Sequence, residues 1–147
     1  MIAYVDSSVL ARALLTDEDG SEEVRRLLAD RTIAKYTGRW TRIEVSAAIV
    51  RAARAGRPVL QADALMRLDA ELRPGGRIKV LAADDTEVEA KALVLAREHG
   101  LRALDALHVA LASIAVPQLA DKGEPVGFAS RDGEQGAVAA ALGFAAV

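Results

Sequence analysis

The chain has 147 residues, with 19 Lys and Arg against 21 Asp and Glu, a formal net charge of −2 and no cysteine. This length suits one domain with a substantial core, and the sequence contains neither the polar bias of a disordered chain nor the roughly 20 uninterrupted apolar residues that a membrane span needs. Without cysteine and with two histidines, it excludes disulfides, thiolate metal sites, cysteine nucleophiles and a His-rich zinc site, so any metal must be held by oxygen atoms.

The first predicted elements are a short strand at residues 2–5 and a helix at 9–15, which the residues from Asp6 to Ser8 can cap. This N-terminus has no basic region followed by a long apolar segment, so we expect no signal peptide and a cytoplasmic location. A polar loop at 16–20 leads to a helix that begins at Ser21 and to a strand at 32–36. Two helices at 40–55 and 60–72 are expected to form a hairpin. In the first, the apolar positions at helical spacing are Ile43, Ala47, Val50 and Ala53.

The second half of the chain continues the alternation of strands and helices. A strand at 78–81 precedes helices at 87–99 and 101–116, and a polar loop at 117–125 leads to a strand at 126–130, a helix at 135–142 and a closing strand at 144–147. The helix at 101–116 is expected to turn one face inward, with Leu104, Leu107, Leu111 and Ala115. Because parallel strands need helical crossovers, the prediction is a single α/β domain over residues 1–147. It has three layers, with a mostly parallel sheet of four or five short strands between helices on both faces.

Four acidic residues are candidates for a common site. Asp6 directly follows the first strand and Asp132 follows the fourth, and the carboxyl ends of parallel strands meet at one edge of a sheet. Asp105 shares a helix face with apolar residues, and Glu44 lies among small residues near the start of its helix. Taken singly, Asp6 and Asp132 also suit a helix cap and a turn, and Glu44 suits a solvated surface. Taken together, the four can converge at one mouth.

Such a cluster of carboxylates favours a hard divalent cation. The charges repel one another unless some carboxyls take up protons or a cation binds between them, and Mg²⁺ and Mn²⁺ prefer oxygen ligands. A bound ion can lower the pKa of a coordinated water and neutralise a phosphate in transit. Ser8 and Ser130 flank the proposed site and can orient its carboxylates or a metal-bound water. Without the four acids the formal charge would be +2, so the acidic total does not exclude a nucleic-acid substrate.

Histidine chemistry is a weaker interpretation of the same region. His108 follows Asp105 by three residues, which suits a general base, but its helical neighbours are leucines. We therefore predict a core histidine bonded to a neighbouring group.

Four segments resemble the motifs of PIN-domain proteins, in order along essentially the whole chain. They are YVDSSVL at residues 4–10, TRIEV at 41–45, LRALDALHVA at 101–110 and SRD at 130–132, the last followed by a short helix and LGF at 142–144. The third segment is the most specific of the set. A chain of this size with nothing appended most resembles the VapC toxins of type II toxin–antitoxin modules.

The resemblance implies a ribonuclease that depends on Mg²⁺, with Mn²⁺ as a possible substitute. It implies an acidic catalytic pocket of Asp6, Glu44, Asp105 and Asp132, in which Asp6, Asp105 and Asp132 bind metal. Glu134 is a second acid close to Asp132 and could share its place. The family also implies a homodimer and a hetero-oligomer with a cognate antitoxin, whose C-terminal segment crosses the helices and places a basic side chain in the pocket. No membrane is involved.

Two other functions remain open at the level of sequence. A phosphoaspartate hydrolase could use Asp6 as nucleophile, but that chemistry usually has a second Asp two residues later, where this chain has Ser8. A binding module without catalysis could use the acidic pocket only to dock basic groups of a partner.

Overall fold

The computed structural model describes residues 1–17 and 19–147, so Glu18 of the predicted loop at 16–20 lies outside the described residues. Five short strands form one sheet in the order β3-β2-β1-β4-β5, and every neighbouring pair is parallel. The strands are β1 (Ile2–Val5), β2 (Ala34–Thr37), β3 (Ile78–Val80), β4 (Val126–Ala129) and β5 (Ala145–Ala146). The predicted α/β class with a central parallel sheet is confirmed.

Helices cover both faces of the sheet. They are α1 (Ser7–Leu14), α2 (Ser21–Ala29), α3 (Thr41–Arg54), α4 (Gln61–Leu72), α5 (Asp85–His99), α6 (Ala103–Leu119) and α7 (Gly133–Ala141). One buried cluster contains residues of α5, α6 and α7 and the sheet face that carries Tyr4 and Phe128. The other contains residues of the first four helices and the opposite sheet face, which carries Val5 and Ala129. Successive residues of a strand point to opposite faces, which is why a single strand contributes to both clusters. No helix in the described part of the chain is long and apolar enough to cross a membrane.

Helix α6 ends later than the sequence predicts. It continues through Pro117 to Leu119, although a loop was expected to begin at Pro117. A proline inside a helix lacks one N–H donor, but Pro117 is exposed, and the side-chain amide of Gln118 donates to the carbonyl of Ile114 at 2.8 Å in the same turn. The buried face also differs from the predicted one, because Leu104 is 40% exposed while His108 is completely buried.

Helix α3 turns a different face inward from the one that its apolar spacing indicated. The buried residues are Thr41, Val45, Ile49 and Ala52, whereas Ile43 is 70% exposed. Alanine and other apolar residues occur around most of this helix, so periodicity alone does not select one face. Packing against α1 and α4 makes the selection.

Candidate active site

Asp6 lies where β1 passes into α1 and is held from several directions. Its backbone N–H donates to the carbonyl of Ala129 at 2.9 Å, which extends the pairing of β1 with β4. Its Oδ2 accepts the N–H of Ser8 at 3.0 Å, so Asp6 caps helix α1, as one of the sequence interpretations proposed. The side chain is almost completely buried, with 3% of the residue exposed. A carboxylate in this position is fixed in direction before any ligand arrives.

Asp132 lies three residues after the end of β4, where it caps α7 as Asp6 caps α1. Its Oδ1 accepts the N–H groups of Glu134 and Gln135 at 2.9 and 3.0 Å. Its second oxygen, Oδ2, accepts no hydrogen bond within the described part of the chain. The cap thus holds the carboxylate in place and leaves one oxygen available.

Gln135 connects these acids and was not identified from the sequence. It is completely buried, and its Nε2 donates to Oδ1 of Asp6 at 3.1 Å and to the carbonyl of Asp105 at 3.5 Å. The hydroxyl of Ser130 donates to its Oε1 at 2.6 Å. An Asp three residues before a Gln is a capping-box pattern, which would turn the Gln back to the N–H of Asp132. Ser130 accepts that N–H instead, at 2.9 Å, and Gln135 is free to support Asp6.

The two serines named from the sequence both contact the frame of the site. Ser8 reaches Asp6 through its backbone N–H, and its Oγ accepts the N–H of Arg131 at 3.0 Å, which ties the start of α1 to the loop after β4. Ser130 acts on Asp6 through Gln135 and on Asp132 through its N–H. These contacts join both serines to the groups that hold Asp6 and Asp132 in place.

Glu44 reaches the site at the end of a buried hydrogen-bonded chain. Its Oε2 lies 2.5 Å from Nε2 of His108, and Nδ1 of the same ring lies 2.6 Å from the hydroxyl of Tyr4. His108 is therefore the buried, hydrogen-bonded histidine that was predicted, although Glu44 was not foreseen as its partner. The same Nε2 lies 3.8 Å from Oδ1 of Asp6. The imidazole thus stands between two of the four acids.

Burial and the neighbouring acids affect the protonation of Tyr4 and His108. Burial, followed by the charges of Asp6 and Glu44, raises the pKa of Tyr4 well above its ordinary value, so its hydroxyl keeps its proton. Burial lowers the pKa of His108, but the hydrogen bond to Glu44 and the charges of Asp6, Glu44 and Asp105 outweigh it, and the net direction is upward. In the neutral imidazole, Tyr4 donates to Nδ1 and Nε2–H donates to Glu44. In the protonated ring, both nitrogens donate.

The helix that carries Glu44 is anchored to the end of β1 through two threonines. Thr37, the last residue of β2, donates its hydroxyl to the carbonyl of Val5 at 2.6 Å. The hydroxyl of Thr41 lies 2.6 Å from that of Thr37, and all of these groups are buried. Since Thr37 already donates to Val5, Thr41 donates to Thr37. Glu44 follows Thr41 by three residues, so this link ties the first turn of its helix to the end of the strand that precedes Asp6.

Asp105 lies in the first turn of α6 and is half-buried. Its pKa is raised first by partial burial and then by the charges of Asp6 and Asp132; Arg102 opposes the rise and Glu44 adds to it. Glu134 is exposed, whereas Asp132 is half-buried and its charge is among those that raise the pKa of Asp105. Within the described residues, the Asp105 carboxylate accepts no hydrogen bond. The negative charges of the neighbouring acids thus disfavour ionisation of Asp105, and both of its carboxylate oxygens can still accept hydrogen bonds or bind a cation.

The donor set fits a hard divalent cation with a largely aqueous shell. Among residues 1–17 and 19–147, no three His, Asp or Glu side chains already surround a common point at metal-binding distance. Mg²⁺ usually keeps several waters and takes only one or two carboxylates, so a preformed cage is not required. The carboxylate oxygens of Asp105 and Asp132 that accept no hydrogen bond from the described residues, together with the oriented Asp6, are the kind of ligand that such a cation would need. Ionisation of Asp105 is unfavourable beside the other acids, and a bound cation would offset that repulsion.

Comparisons with known proteins bear on this arrangement. Residues 3–116 match the family model of the PIN domain, a span that includes Asp6, Glu44 and Asp105 and ends before Asp132. No curated protein matches the chain. Among solved structures, the chain is similar to one from the "Toxin-antitoxin complex from Klebsiella pneumoniae", with a TM-score of 0.56 and 16% identity, over 88% of this chain and 86% of that one. At this identity the likeness shows the fold.

Proposed function

The chain belongs to the PIN domain family, whose members are generally nucleases, and we propose that it is a Mg²⁺- or Mn²⁺-dependent endoribonuclease acting as a VapC-like toxin of a type II toxin–antitoxin module. The observation that carries the proposal is that Asp6 and Asp132 cap the helices that follow two adjacent parallel strands, with Gln135 joining Asp6 to Asp105 and His108 lying between Asp6 and Glu44. The similar solved chain comes from a toxin–antitoxin complex, which supports the proposed biological role.

In this proposal Asp6, Asp105 and Asp132 hold the metal. A bound divalent ion lowers the pKa of a water molecule and neutralises charge that develops on the phosphate. Asp6 is held in direction by Gln135 and Ser8, and Asp132 by the backbone at the start of α7. Asp105 contributes oxygens that have no hydrogen-bonding partner in the described structure. The three carboxylates are thereby prepared for a cation before RNA binds.

Glu44 is proposed to orient the attacking water. His108 occupies its Oε2 at 2.5 Å, whereas Oε1 makes no hydrogen bond with the described residues. The side chain is 20% exposed, so that free oxygen can accept a hydrogen bond from water. Tyr4 and His108 act behind Glu44 as positioning residues, because they hold the carboxylate without reaching the substrate themselves.

The negative pocket also suits the proposed antitoxin. Without a cation, the acids that repel phosphate attract a basic side chain, so one site can bind either metal with RNA or an inhibitory arginine or lysine. The proposed homodimer, the toxin–antitoxin hetero-oligomer and the cytoplasmic location follow from the resemblance to VapC toxins.

The phosphoaspartate alternative has less support from the geometry. Asp6 is 3% exposed, and both of its oxygens already accept hydrogen bonds, from Gln135 and Ser8. The hydroxyl of Ser8, in the place of the usual acid/base, accepts a backbone N–H from Arg131. The position two residues after Asp6 therefore offers no carboxyl group to act as the acid/base that this chemistry usually needs.

Cleavage of structured RNA by the purified chain tests the proposal. We expect cleavage in Mg²⁺ or Mn²⁺ and its loss when a chelator is added. Asp6→Asn should lower the cleavage rate by about 100-fold or more, because mutation of groups that only support metal ligands already costs about 10- to 100-fold. Asp121→Asn, the same change in an exposed loop, is the control and should cleave normally. Equal activity of Asp6→Asn, or activity that survives the chelator, would refute the proposal. High affinity for a basic peptide without metal binding would instead favour the docking module.

A further inference from the structure

A cavity of about 200 Å³ is lined by Trp40, whose ring packs edge-on against that of His108, and nothing in the proposed catalytic arrangement uses it. It is bordered by the ends of β2 and β3 and by α3, α5 and α6, and we name it the tryptophan pocket after its largest residue. The residues that matter here are Arg39, Trp40, Ala82, Ala83, Asp85 and Leu111. We propose that this pocket binds an unpaired base of the RNA, from a nucleotide close to the phosphate that is cleaved. The inference rests on the proposed function, because it names how that site holds its substrate.

The tryptophan pocket is linked to Glu44 through Trp40 and His108. The ring centroid of Trp40 lies 6.1 Å from that of His108, in an edge-on arrangement, and His108 is bonded to Glu44. Leu111 lines the pocket from α6, which also carries Asp105. Six residues of helix separate these two positions, which is about 9 Å along the axis. A nucleotide whose base lies in the pocket would therefore lie beside the contact of Trp40 with His108, the hydrogen-bonding partner of Glu44.

The lining suits a flat aromatic ligand of small size. Trp40 is half-buried, so part of its indole is fixed and part is accessible, and the guanidinium of Arg39 lies 5.0 Å above the ring. Nucleobases stack on aromatic rings and on guanidinium planes. Pockets for drug-sized ligands usually measure roughly 300–1,000 Å³, which is larger than this cavity. The dimensions favour a single ring system over a larger ligand.

The rim offers polar groups for the base and its phosphate. Neither the N–H nor the carbonyl of Ala82 or Ala83 makes a hydrogen bond within the described part of the chain, so these groups can meet the edge of a base. Arg39 pairs with Asp85 at 3.0 Å, and both side chains are 56% exposed. Exposed ion pairs of this kind contribute little stability, so the guanidinium can exchange Asp85 for a phosphate oxygen. The site thus combines stacking, unused backbone groups and an exchangeable cation, which is the chemistry of a nucleotide.

Trp40 itself provides the assay, since it is the only tryptophan of the chain. We would titrate the Asp105→Asn protein, in Mg²⁺ and without cleavage, with a short single-stranded oligoadenylate and with an abasic oligomer of the same length. The base-bearing oligomer should quench or shift the tryptophan fluorescence, and the abasic one should not. No change with either oligomer, at concentrations where anisotropy shows binding, would overturn the inference.

Variants then separate stacking from charge, with labelled oligomers as the readout. Trp40→Ala should weaken binding of oligoadenylate by about 5- to 150-fold, the range for loss of one base–aromatic stack, and leave binding of the abasic oligomer unchanged. Trp40→Phe keeps an aromatic face and should lose less than about fivefold. Arg39→Gln should weaken both oligomers, whereas Arg97→Gln removes the same charge near the far end of α5 and should change neither. An equal loss for both oligomers in Trp40→Ala would refute stacking, even if that variant is partly unfolded, because the comparison is internal.

The outcomes also separate this inference from the proposed nuclease function. If oligoadenylate quenches the tryptophan fluorescence but the wild-type protein cleaves no RNA, the base pocket is supported and the nuclease function is refuted. Cleavage that Trp40→Ala performs with unchanged KM would leave the nuclease and remove the pocket. A fluorescence change produced by a protein partner and by none of the oligomers would assign the pocket to protein recognition and overturn the inference.

Discussion

Removal of one hydroxyl group, in Tyr4→Phe, tests whether the buried chain from Tyr4 to Glu44 stabilises the fold. The Tyr4 side chain is completely buried, and its hydroxyl lies 2.6 Å from Nδ1 of His108. The change keeps the aromatic ring, which stacks on Phe128 with centroids 5.3 Å apart. What is lost is the partner of a buried ring nitrogen, and in either tautomer Nδ1 then faces a hydrocarbon. Leaving one such group unsatisfied costs about 1–3 kcal/mol.

Urea unfolding measures this loss directly. For an m-value of about 2 kcal/mol/M, a loss of 2 kcal/mol lowers the midpoint by about 1 M, and m should not change because the same surface is buried. In a thermal scan the same loss should lower Tm by about 2–4 °C for each kcal/mol. The matched control is Tyr36→Phe, since the two tyrosines lie opposite each other in the register of β1 and β2.

The control makes the same chemical change without the buried partner. The hydroxyl of Tyr36 makes no hydrogen bond with the described residues, the ring is half-buried, and the amine of Lys79 lies 5.6 Å from its centroid, a contact that phenylalanine retains. Tyr36→Phe should change the free energy of unfolding by no more than about 0.5 kcal/mol. Equal urea midpoints for the two variants would show that the Tyr4–His108 hydrogen bond contributes nothing to stability. The stabilising role argued for the series Tyr4–His108–Glu44 would then be wrong.

Three further predictions concern the same site. Gln135→Leu leaves a buried oxygen of Asp6 without its donor and should cost about 1–3 kcal/mol in urea unfolding, whereas Gln118→Leu on the surface should cost less than about 0.5 kcal/mol; equal costs would contradict the bridging role of Gln135. Because the pKa of His108 is raised on folding, its contribution to stability should be complete below its ordinary value of about 6.5 and fall as pH rises through the folded value. In His108→Asn that fall, measured as unfolding midpoints across pH, should disappear, and an unchanged slope would count against the assignment. The pKa of Asp105 is likewise raised, so without divalent cations the wild type should lose stability relative to Asp105→Asn as pH rises above about 3.9. At 100 times its Kd, Mg²⁺ should stabilise the wild type by about 2.7 kcal/mol, and an equal gain in Asp105→Asn would remove Asp105 from the metal site.

The acids were predictable because their positions along the chain imply their positions in space. Asp6 directly follows β1 and Asp132 comes three residues after the end of β4, and strands that are parallel and adjacent deliver their next residues to the same edge of the sheet. Both residues are helix caps, which is the simpler interpretation that the sequence allowed for Asp6, whereas a turn was the simpler interpretation of Asp132. Asp105 was identified because acidic residues are rare on the apolar face of a helix unless they have a partner or a function.

The supporting residues were not predictable in the same way. Gln135 looked like part of a helix cap, and its role depends on Asp6, 129 positions away in the chain. Helix α3 shows the same limit, since its alanine-rich surface allowed Ile43 on the buried side and the packing of α1 and α4 put Val45 there.

The sequence by itself determined the alternation of strands and helices, the parallel sheet and the edge at which the acids collect, because caps, turns and periodicity act between residues close in the chain. Only the tertiary structure decided that Gln135 supports Asp6, that His108 bonds Glu44 across 64 positions and Tyr4 across 104, and that Trp40 borders a cavity beside them. These contacts join segments from different elements. They depend on how the helices pack on the sheet, and no local pattern records that packing.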